Sequence, residues 1–149
     1  MKECIFCQFV IKKRTKHADG LPFRVLHKTK DTLSFLSNVF ILGEDGHILV
    51  IPKKHYSDLE KIPENTRNQI INHITLLTKV LRNTHQGCNI LLNDGKAAGQ
   101  TIDHSHFHLI PRNEKDKIKI EVYKRKKISS KKFLELNDMI KNQIKNLEV

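Results

Sequence analysis

The chain has 149 residues, of which 38% are hydrophobic and 29% are charged. This length and composition fit one compact domain over residues 1–149 and exclude a disordered chain. They also exclude a membrane-spanning protein, since no apolar run approaches the roughly 20 residues that a membrane helix needs. The 27 basic and 16 acidic residues give a formal net charge of +11, which attracts anions such as nucleotides or RNA without distinguishing between them.

The chain begins with two closely spaced cysteines, Cys4 and Cys7. No apolar signal segment precedes them, so we predict a cytoplasmic protein in which the three cysteines do not form a disulfide scaffold. A Cys-x-x-Cys turn can supply half of a tetrahedral zinc site, which two histidines would have to complete. A redox role is less favoured, because that motif normally follows a strand.

Three short strands are predicted in the first third of the chain. Phe23–His27 and Thr32–Leu36 are rich in β-branched and aromatic residues, and the polar residues between them predict a hairpin. His47–Ile51 predicts a third strand, which Pro52 closes.

Two helices and a further strand are predicted in the rest of the chain. After Pro63, apolar residues recur at helical spacing, at Ile70, Ile74, Leu77 and Leu81. Asn89–Leu92 predicts a strand, and the same apolar rhythm returns from about Ser130 to Leu147. With one more strand at residues 104–110, these elements predict an α+β fold with an antiparallel sheet of about five strands, one long central helix and a C-terminal helix, the helices packing on one side.

The segment around residues 104–108 has a histidine at every second position. In a strand, this spacing places His104, His106 and His108 on one face about 7 Å apart, while Phe107 and Leu109 point the other way. Three solvated histidines on an open sheet face are the less favoured alternative, given the regular spacing.

Two kinds of chemistry fit these histidines. His104 and His106 could bind a zinc ion that keeps a water in its fourth position and acts as a hydrolytic centre. Alternatively, an imidazole that donates one ring hydrogen to a backbone carbonyl can attack phosphorus with its other nitrogen. The upstream loop supports the second interpretation, because its glycines let the backbone approach a phosphate and Gln100 and Thr101 supply donors.

These residues resemble the signature of the histidine triad (HIT) nucleotide-binding proteins, which is Gly99-Gln100-Thr101-Ile102 followed by His104-Ser105-His106-Phe107-His108 in this chain. Three more blocks agree in order, at Cys4–Cys7, at Gly46–His55 and at Asn93. The resemblance covers about residues 3–112 and leaves 113–149 as a basic C-terminal extension with a helix.

The resemblance implies a nucleoside phosphoramidase or a dinucleoside polyphosphate hydrolase, acting on a purine nucleotide as a homodimer. It implies that His106 attacks the α-phosphorus to form a nucleotidyl-histidine, that His108 contacts the α-phosphate, and that Gln100 and Thr101 lie near the scissile linkage. It further implies a nucleotide-binding set of His47, Asn93, Gly99, Phe35 and Ser37. It implies a structural zinc site, not needed for the chemistry, held by Cys4, Cys7, His55 and His104.

The sequence departs from the family at the sugar site. The family has Phe-x-Asp on the second strand, whereas this chain has Phe35-Leu36-Ser37, so no carboxylate is available there to hold the ribose. This departure and the net charge favour the alternative of a non-catalytic nucleotide- or RNA-binding module with a structural zinc site. The basic segment from Lys115 to Lys132 is more typical of a solvated face than of a dedicated RNA site.

Overall fold

The computed structural model describes residues 4–39, 46–120 and 126–147. The chain divides into two compact units, Met1–Ile118 and Lys119–Val149. The single domain expected over residues 1–149 stays a prediction. None of the helices in the described ranges is both long and apolar enough to cross a membrane.

Within the described residues, the first unit contains five strands and two α-helices, and the second contains one α-helix. In chain order the elements are α1 (Ile5–Val10), β1 (Val25–Lys28), β2 (Thr32–Leu36), β3 (Ile48–Pro52), α2 (Glu64–Leu81), β4 (Gly87–Leu92), β5 (Phe107–Arg112) and α3 (Ser130–Leu147). Short 3-10 turns lie at Leu59–Lys61 and Lys96–Ala98.

The strands form one antiparallel sheet in the order β1-β2-β3-β5-β4. Leu49 in the middle strand lies opposite Phe35 on one side and His108 on the other. This arrangement confirms the predicted α+β fold with a five-stranded antiparallel sheet. It also places the segment of the histidine motif at the centre of the sheet rather than at an edge.

The two faces of the sheet have different cores. The stripe predicted on α2 is buried against one face, together with Ile48, Val50, Phe107 and Leu109. On the other face, Phe6 and Phe9 of α1 pack against residues of β2 and β3. The prediction that the helices pack on one side was therefore wrong for α1, which the sequence analysis treated as a turn because six residues are too few to show helical periodicity.

The histidine motif only partly forms a strand. β5 begins at Phe107, so His104 and His106 precede it and only His108 lies within it. The expected alternation holds from that point, because Phe107 and Leu109 enter the core on the α2 side. The expectation of three imidazoles on one regular strand face was wrong, since the chain pairs with β3 only from the position where Val50 meets Phe107.

The two long helices match their predicted ranges closely. Pro63 is the N-cap residue of α2 and not a residue of its first turn. In the second unit, none of the described residues of α3 is buried, and Phe133, Ile140 and Ile144 are exposed.

Candidate functional site

His106 is a buried histidine with one nitrogen engaged and one nitrogen free to react. Its Nδ1 lies 2.7 Å from the backbone oxygen of His104. A carbonyl can only accept a hydrogen bond, so Nδ1 carries the hydrogen and Nε2 of the neutral ring keeps its lone pair. The ring is 4% exposed, and the ring of Phe6 meets it edge-on with centroids 5.3 Å apart. The tautomer of His106 is therefore set by the backbone two residues earlier.

His47 and His108 form a directed chain of hydrogen bonds beside His106. Nδ1 of His47 donates to the backbone oxygen of Val39 at 3.0 Å, so its Nε2 is an acceptor. Nδ1 of His108 lies 2.9 Å from that Nε2 and must donate to it. Consequently, Nε2 of His108 carries a lone pair in the neutral state. The rings of His106 and His108 are 4.8 Å apart between centroids.

Two buried polar atoms next to this site have no hydrogen-bond partner among the described residues, Nε2 of His108 and Oγ of Ser105. A buried polar atom without a partner costs stability, and such atoms concentrate where a ligand or a functional demand compensates for the cost. The unpartnered nitrogen of His108 therefore marks a position where a ligand atom can bind.

Burial keeps these imidazoles neutral. Burial lowers the pKa of His106, and the hydrogen bond to the His104 carbonyl partly offsets this by raising it. Burial and, to a smaller extent, the neighbouring His106 and His47 lower the pKa of His108 to about 4. Burial also lowers the pKa of His47. At neutral pH, the site thus offers lone pairs rather than imidazolium cations.

The loop at residues 93–101 is held in place by Gln100. The side chain of Gln100 accepts from the backbone N–H of Gly95 at 2.8 Å and donates to the backbone oxygen of Ser57 at 2.9 Å. Gly99 adopts a left-handed conformation with φ of +88°, and a Cβ on it would lie 3.8 Å from Nδ2 of Asn93. Thr101 borders a cavity of about 860 Å³ next to the cysteines.

The residues at the expected sugar position pack against, or form hydrogen bonds with, neighbouring residues of the chain. Phe35 is 1% exposed and packs edge-on against Phe6, with centroids 5.5 Å apart. Ser37 is buried, its Oγ accepts from the N–H of Val39 at 3.2 Å, and its own N–H donates to the backbone oxygen of His47 at 2.7 Å. Asn38 donates from Nδ2 to a carboxylate oxygen of Asp19 at 3.1 Å.

The four residues expected to bind zinc come together as a cluster that can hold a metal ion. The candidate ligand atoms of Cys4, Cys7, His55 and His104 all lie within 4.8 Å of one another. Nδ1 of His104 is 3.4 Å from Sγ of Cys4 and 3.6 Å from Sγ of Cys7. Nδ1 of His55 is 3.5 Å from Sγ of Cys7.

These separations agree with a tetrahedral site. With Zn–S bonds of about 2.3 Å and Zn–N bonds of about 2.05 Å, tetrahedral angles place sulfur and nitrogen about 3.6 Å apart. Nε2 of His104 donates to the backbone oxygen of Pro52 at 2.9 Å, which leaves its Nδ1 free as a ligand. Without a cation, burial and the neighbouring Cys4 raise the pKa of the Cys7 thiol to about 11. The donor set thus fits a soft divalent cation.

Phe6 and Val39 also belong to the site, although neither is predicted from the sequence. The Phe6 ring contacts both His104 and His106, with centroids 5.7 and 5.3 Å away. Its spacing of three from Phe9 is the one sequence signal that could have placed it on a helix face. Val39 contributes only backbone groups, its oxygen to His47 and its N–H to Ser37, and the sequence carries no signal for such contacts.

The chain is similar to known proteins of one family. Residues 21–115 match the HIT domain family model. An adenosine 5'-monophosphoramidase of Candida albicans is 39% identical over 117 residues, which are 74% of this chain and 71% of the relative.

Two solved structures are similar as well. The histidine triad nucleotide-binding protein from Candida albicans superimposes with a TM-score of 0.79 and 31% identity, covering 97% of this chain and 99% of that one. A zinc-bound histidine triad family protein from Mycobacterium smegmatis superimposes with a TM-score of 0.69 and 30% identity, covering 83% and 84%. The chain therefore belongs to the HIT domain family.

Proposed function

We propose that this protein is a nucleotide hydrolase that cleaves a phosphoramidate or phosphoanhydride bond at the α-phosphate of a purine nucleotide through a nucleotidyl-histidine intermediate. The observation that carries the proposal is the buried His106, whose Nδ1 donates to the His104 backbone and whose Nε2 is thereby left as a lone pair beside His108. An imidazole in this tautomer is a nucleophile that needs no base to activate it.

In the first step, the lone pair on Nε2 of His106 forms a bond to the α-phosphorus. The bond between phosphorus and the leaving group breaks, and the leaving group takes the electron pair. An amine leaving group also takes up one proton from the surrounding water, so that it departs as a neutral amine. His106 becomes a phosphorylated imidazolium, whose Nδ1–H stays on the His104 carbonyl and stabilises the positive charge. In the second step, water attacks phosphorus, the P–N bond breaks, and its electron pair returns to Nε2. The attacking water gives its proton to the solvent, which replaces the proton that an amine takes up in the first step.

His108 would bind the α-phosphate. Its Nε2 is buried and unpartnered among the described residues, and it faces a site next to His106. An incoming anion favours the imidazolium form, so the low pKa of the empty site would rise and Nε2–H would donate to a phosphoryl oxygen. His47 fixes the direction of this donor because it accepts from Nδ1 of His108.

The other site residues would act mainly through the loop and the pocket wall. Gln100 holds the loop against Ser57, Gly99 lets its backbone pass close to Asn93, and Thr101 would donate to the linkage. Phe35 would support the nucleotide pocket from beneath through Phe6. Ser37 would offer the sugar a hydroxyl in place of the missing carboxylate. A hydroxyl is a weaker hydrogen-bond acceptor than an ionised carboxylate.

We propose zinc as the ion held by the Cys/His cluster, in a structural role. Four protein ligands leave no open position for water, so the ion would supply no Lewis acid to the substrate. When bound, it would stabilise the thiolates and join α1 to the segments that contain His55 and His104. The zinc-bound relative from Mycobacterium smegmatis supports this choice of metal.

We also propose that the protein is a homodimer that pairs through β4 and α2. β4 is an edge strand, and Ile90 on it and Val80 on α2 are 50% and 54% exposed. An exposed apolar edge strand is a surface that a second copy can cover.

The amine of a nucleoside phosphoramidate is the leaving group that we favour, since the Candida albicans relative is an adenosine 5'-monophosphoramidase. The test compares turnover of adenosine 5'-phosphoramidate and of a dinucleoside polyphosphate by wild type and His106→Ala. We expect the variant to lose turnover by several orders of magnitude, while His27→Ala, at an exposed histidine on β1, retains it.

Trapping the intermediate makes this test specific. Rapid acid-free quenching followed by mass spectrometry should find a nucleotidyl group on the peptide that contains His106. Turnover by His106→Ala equal to wild type would exclude this nucleophile. Tight nucleotide binding by a wild type that turns over neither substrate would instead support the alternative of a binding module.

A further inference from the structure

A second cavity, of about 430 Å³, lies on the first unit next to β1. One of its lining residues is Lys53, which follows β3, whereas His47 precedes that strand. Six residues of extended chain separate these positions by about 20 Å. The cavity shares no lining residue with the Cys/His cluster or with the histidine site. It is therefore a separate feature of the fold.

The side chains around this cavity are strongly basic. Five of its lining residues carry a positive charge, and they are Lys12, Arg14, Arg24, Lys28 and Lys53. None of the described residues that line it is acidic, and none of the five forms an ion pair with a described carboxylate. Such a concentration of like charge produces a local positive potential that attracts anions.

Two of the five cations are held by backbone oxygens rather than by countercharges. Arg14 donates from Nε to the oxygen of Lys16 at 2.7 Å. Lys53 donates from Nζ to the oxygen of Lys30 at 3.0 Å and to that of Thr29. These bonds orient the charged groups but leave their charge in place.

Part of the wall is aromatic. The rings of Phe9 and Phe23 are stacked with centroids 4.0 Å apart and an interplanar angle of 8°, and both line the cavity with Leu33. Phe23 is only partly buried. A lining that contains both aromatic rings and several cations suits a ligand with a flat apolar part and a phosphate, rather than a phosphate alone.

Lys12 gives a second, independent indication. It follows the C-cap of α1, where the N–H of Lys13 donates to the oxygen of Gln8 at 2.9 Å and that of Lys12 to the oxygen of Phe9 at 3.1 Å. This is a Schellman motif, whose left-handed position is usually glycine. Lys12 occupies it with φ of +59°, at a cost in stability that glycine would avoid.

We propose that this cavity is a second binding site, for a phosphorylated small molecule with an aromatic or other flat apolar group. The lysine and arginine side chains bind the phosphate, and Phe23 and Leu33 contact the apolar part. Lys12 holds its basic side chain at this cavity from a left-handed backbone position. This site does not depend on the proposed hydrolase activity.

The test uses 1-naphthyl phosphate, which has an aromatic ring and a phosphate but no nucleotide linkage. In a titration of the full chain followed by NMR, we expect saturable shifts at the amides of Arg14, Phe23 and Lys28. Lys12→Gly should weaken this binding at least about tenfold, because one charge-assisted contact is lost, and should raise the unfolding temperature, because the backbone strain is relieved.

Lys117→Gly is the matched control. Lys117 is also an exposed lysine with positive φ, of 61°, but it does not line the cavity. The Lys117→Gly substitution should raise the unfolding temperature and leave the affinity for naphthyl phosphate unchanged. Equal affinity in Lys12→Gly and wild type, or shifts centred on His106, would overturn the proposal. So would tighter binding of a short oligouridylate than of naphthyl phosphate at this cavity, because the occupant would then be RNA.

Discussion

The backbone oxygen of His104 accepts the Nδ1 hydrogen of His106 at 2.7 Å, while the imidazole of the same His104 lies 3.4 Å from Sγ of Cys4. One residue thus belongs to both the Cys/His cluster and the reactive site. Its side chain anchors the backbone segment, and its carbonyl selects the tautomer of His106. Any change that frees the His104 side chain is expected to disturb the orientation of the proposed nucleophile.

Loss of the proposed zinc ion should therefore reduce turnover as well as stability. We expect Cys7→Ser to lose bound zinc, to unfold at a lower temperature and to reduce kcat about 10- to 100-fold with a smaller effect on KM. Metal analysis, thermal unfolding and steady-state kinetics check this. Cys88→Ser removes the remaining cysteine outside the cluster and should keep the metal. Zinc that persists in Cys4→Ser/Cys7→Ser but is absent from His106→Ala would contradict the structural assignment.

Replacing His47 should impair catalysis through His108. His47→Phe removes the acceptor for Nδ1 of His108, so the His108 ring no longer has a fixed tautomer. We expect kcat to fall about 100-fold. The pH profile of kcat should change as well, because the coupled imidazole is gone. A KM effect with an unchanged kcat and pH profile would show that His47 only binds the nucleotide.

His73 should make the fold sensitive to mild acid. It is 2% exposed, bonds to Thr32 and Ser34 at 2.7 and 2.9 Å, and burial lowers its pKa to about 4. Between about pH 6.5 and pH 4, His73 is protonated in the unfolded chain but stays neutral in the folded chain. The free energy of unfolding therefore has its full value above this range and decreases as the pH falls through it.

The loss is on the order of 3 kcal/mol over this range. Urea unfolding at pH 7 and pH 4.5 measures it. The difference in unfolding free energy between wild type and His73→Gln should shrink at the lower pH, because glutamine does not titrate. If wild type and His73→Gln differ in unfolding free energy by the same amount at pH 7 and pH 4.5, His73 is not the source of the acid sensitivity.

Two buried serines should respond in opposite ways to truncation. Ser105 is fully buried and its hydroxyl has no partner among the described residues, so Ser105→Ala should stabilise the protein by about 1 kcal/mol. Ser34 is equally buried but bonds to His73 and to the backbone oxygen of His27. Ser34→Ala should destabilise it by about 1–3 kcal/mol. Chemical denaturation compares the two variants, and destabilisation by both would mean that a bound water satisfies Ser105.

Periodicity was sufficient to predict the long elements of the fold. The stripe from Ile70 to Leu81 is long enough to identify α2, and the segment predicted as a strand at residues 32–36 is β2. The short helix α1 was not predicted, because two phenylalanines three positions apart do not distinguish a helix from a strand or a turn. Tertiary contacts of Phe6 and Phe9 stabilise this short helix, which is too short to be stable through local propensity alone.

Candidate residues of the site could be named from the sequence, but their hydrogen bonds could not. The spacing of His104, His106 and His108 indicated a shared location, whereas the structure sends the His104 ring to the cysteines and pairs His108 with His47. Backbone partners such as the oxygens of Val39 and Pro52 depend on how loops cross the sheet. Side-chain identities carry no information on such partners.

The Cys/His cluster joins residues that are far apart in the chain, since Cys4 meets His104 across 100 positions. During synthesis, Cys4 and Cys7 are made before either histidine ligand, and His104 is the last of the four. The full ligand set, and the backbone oxygen that selects the tautomer of His106, exist only after the chain has been translated beyond His104. Completion of the cluster and of the histidine site is consequently a late event of folding.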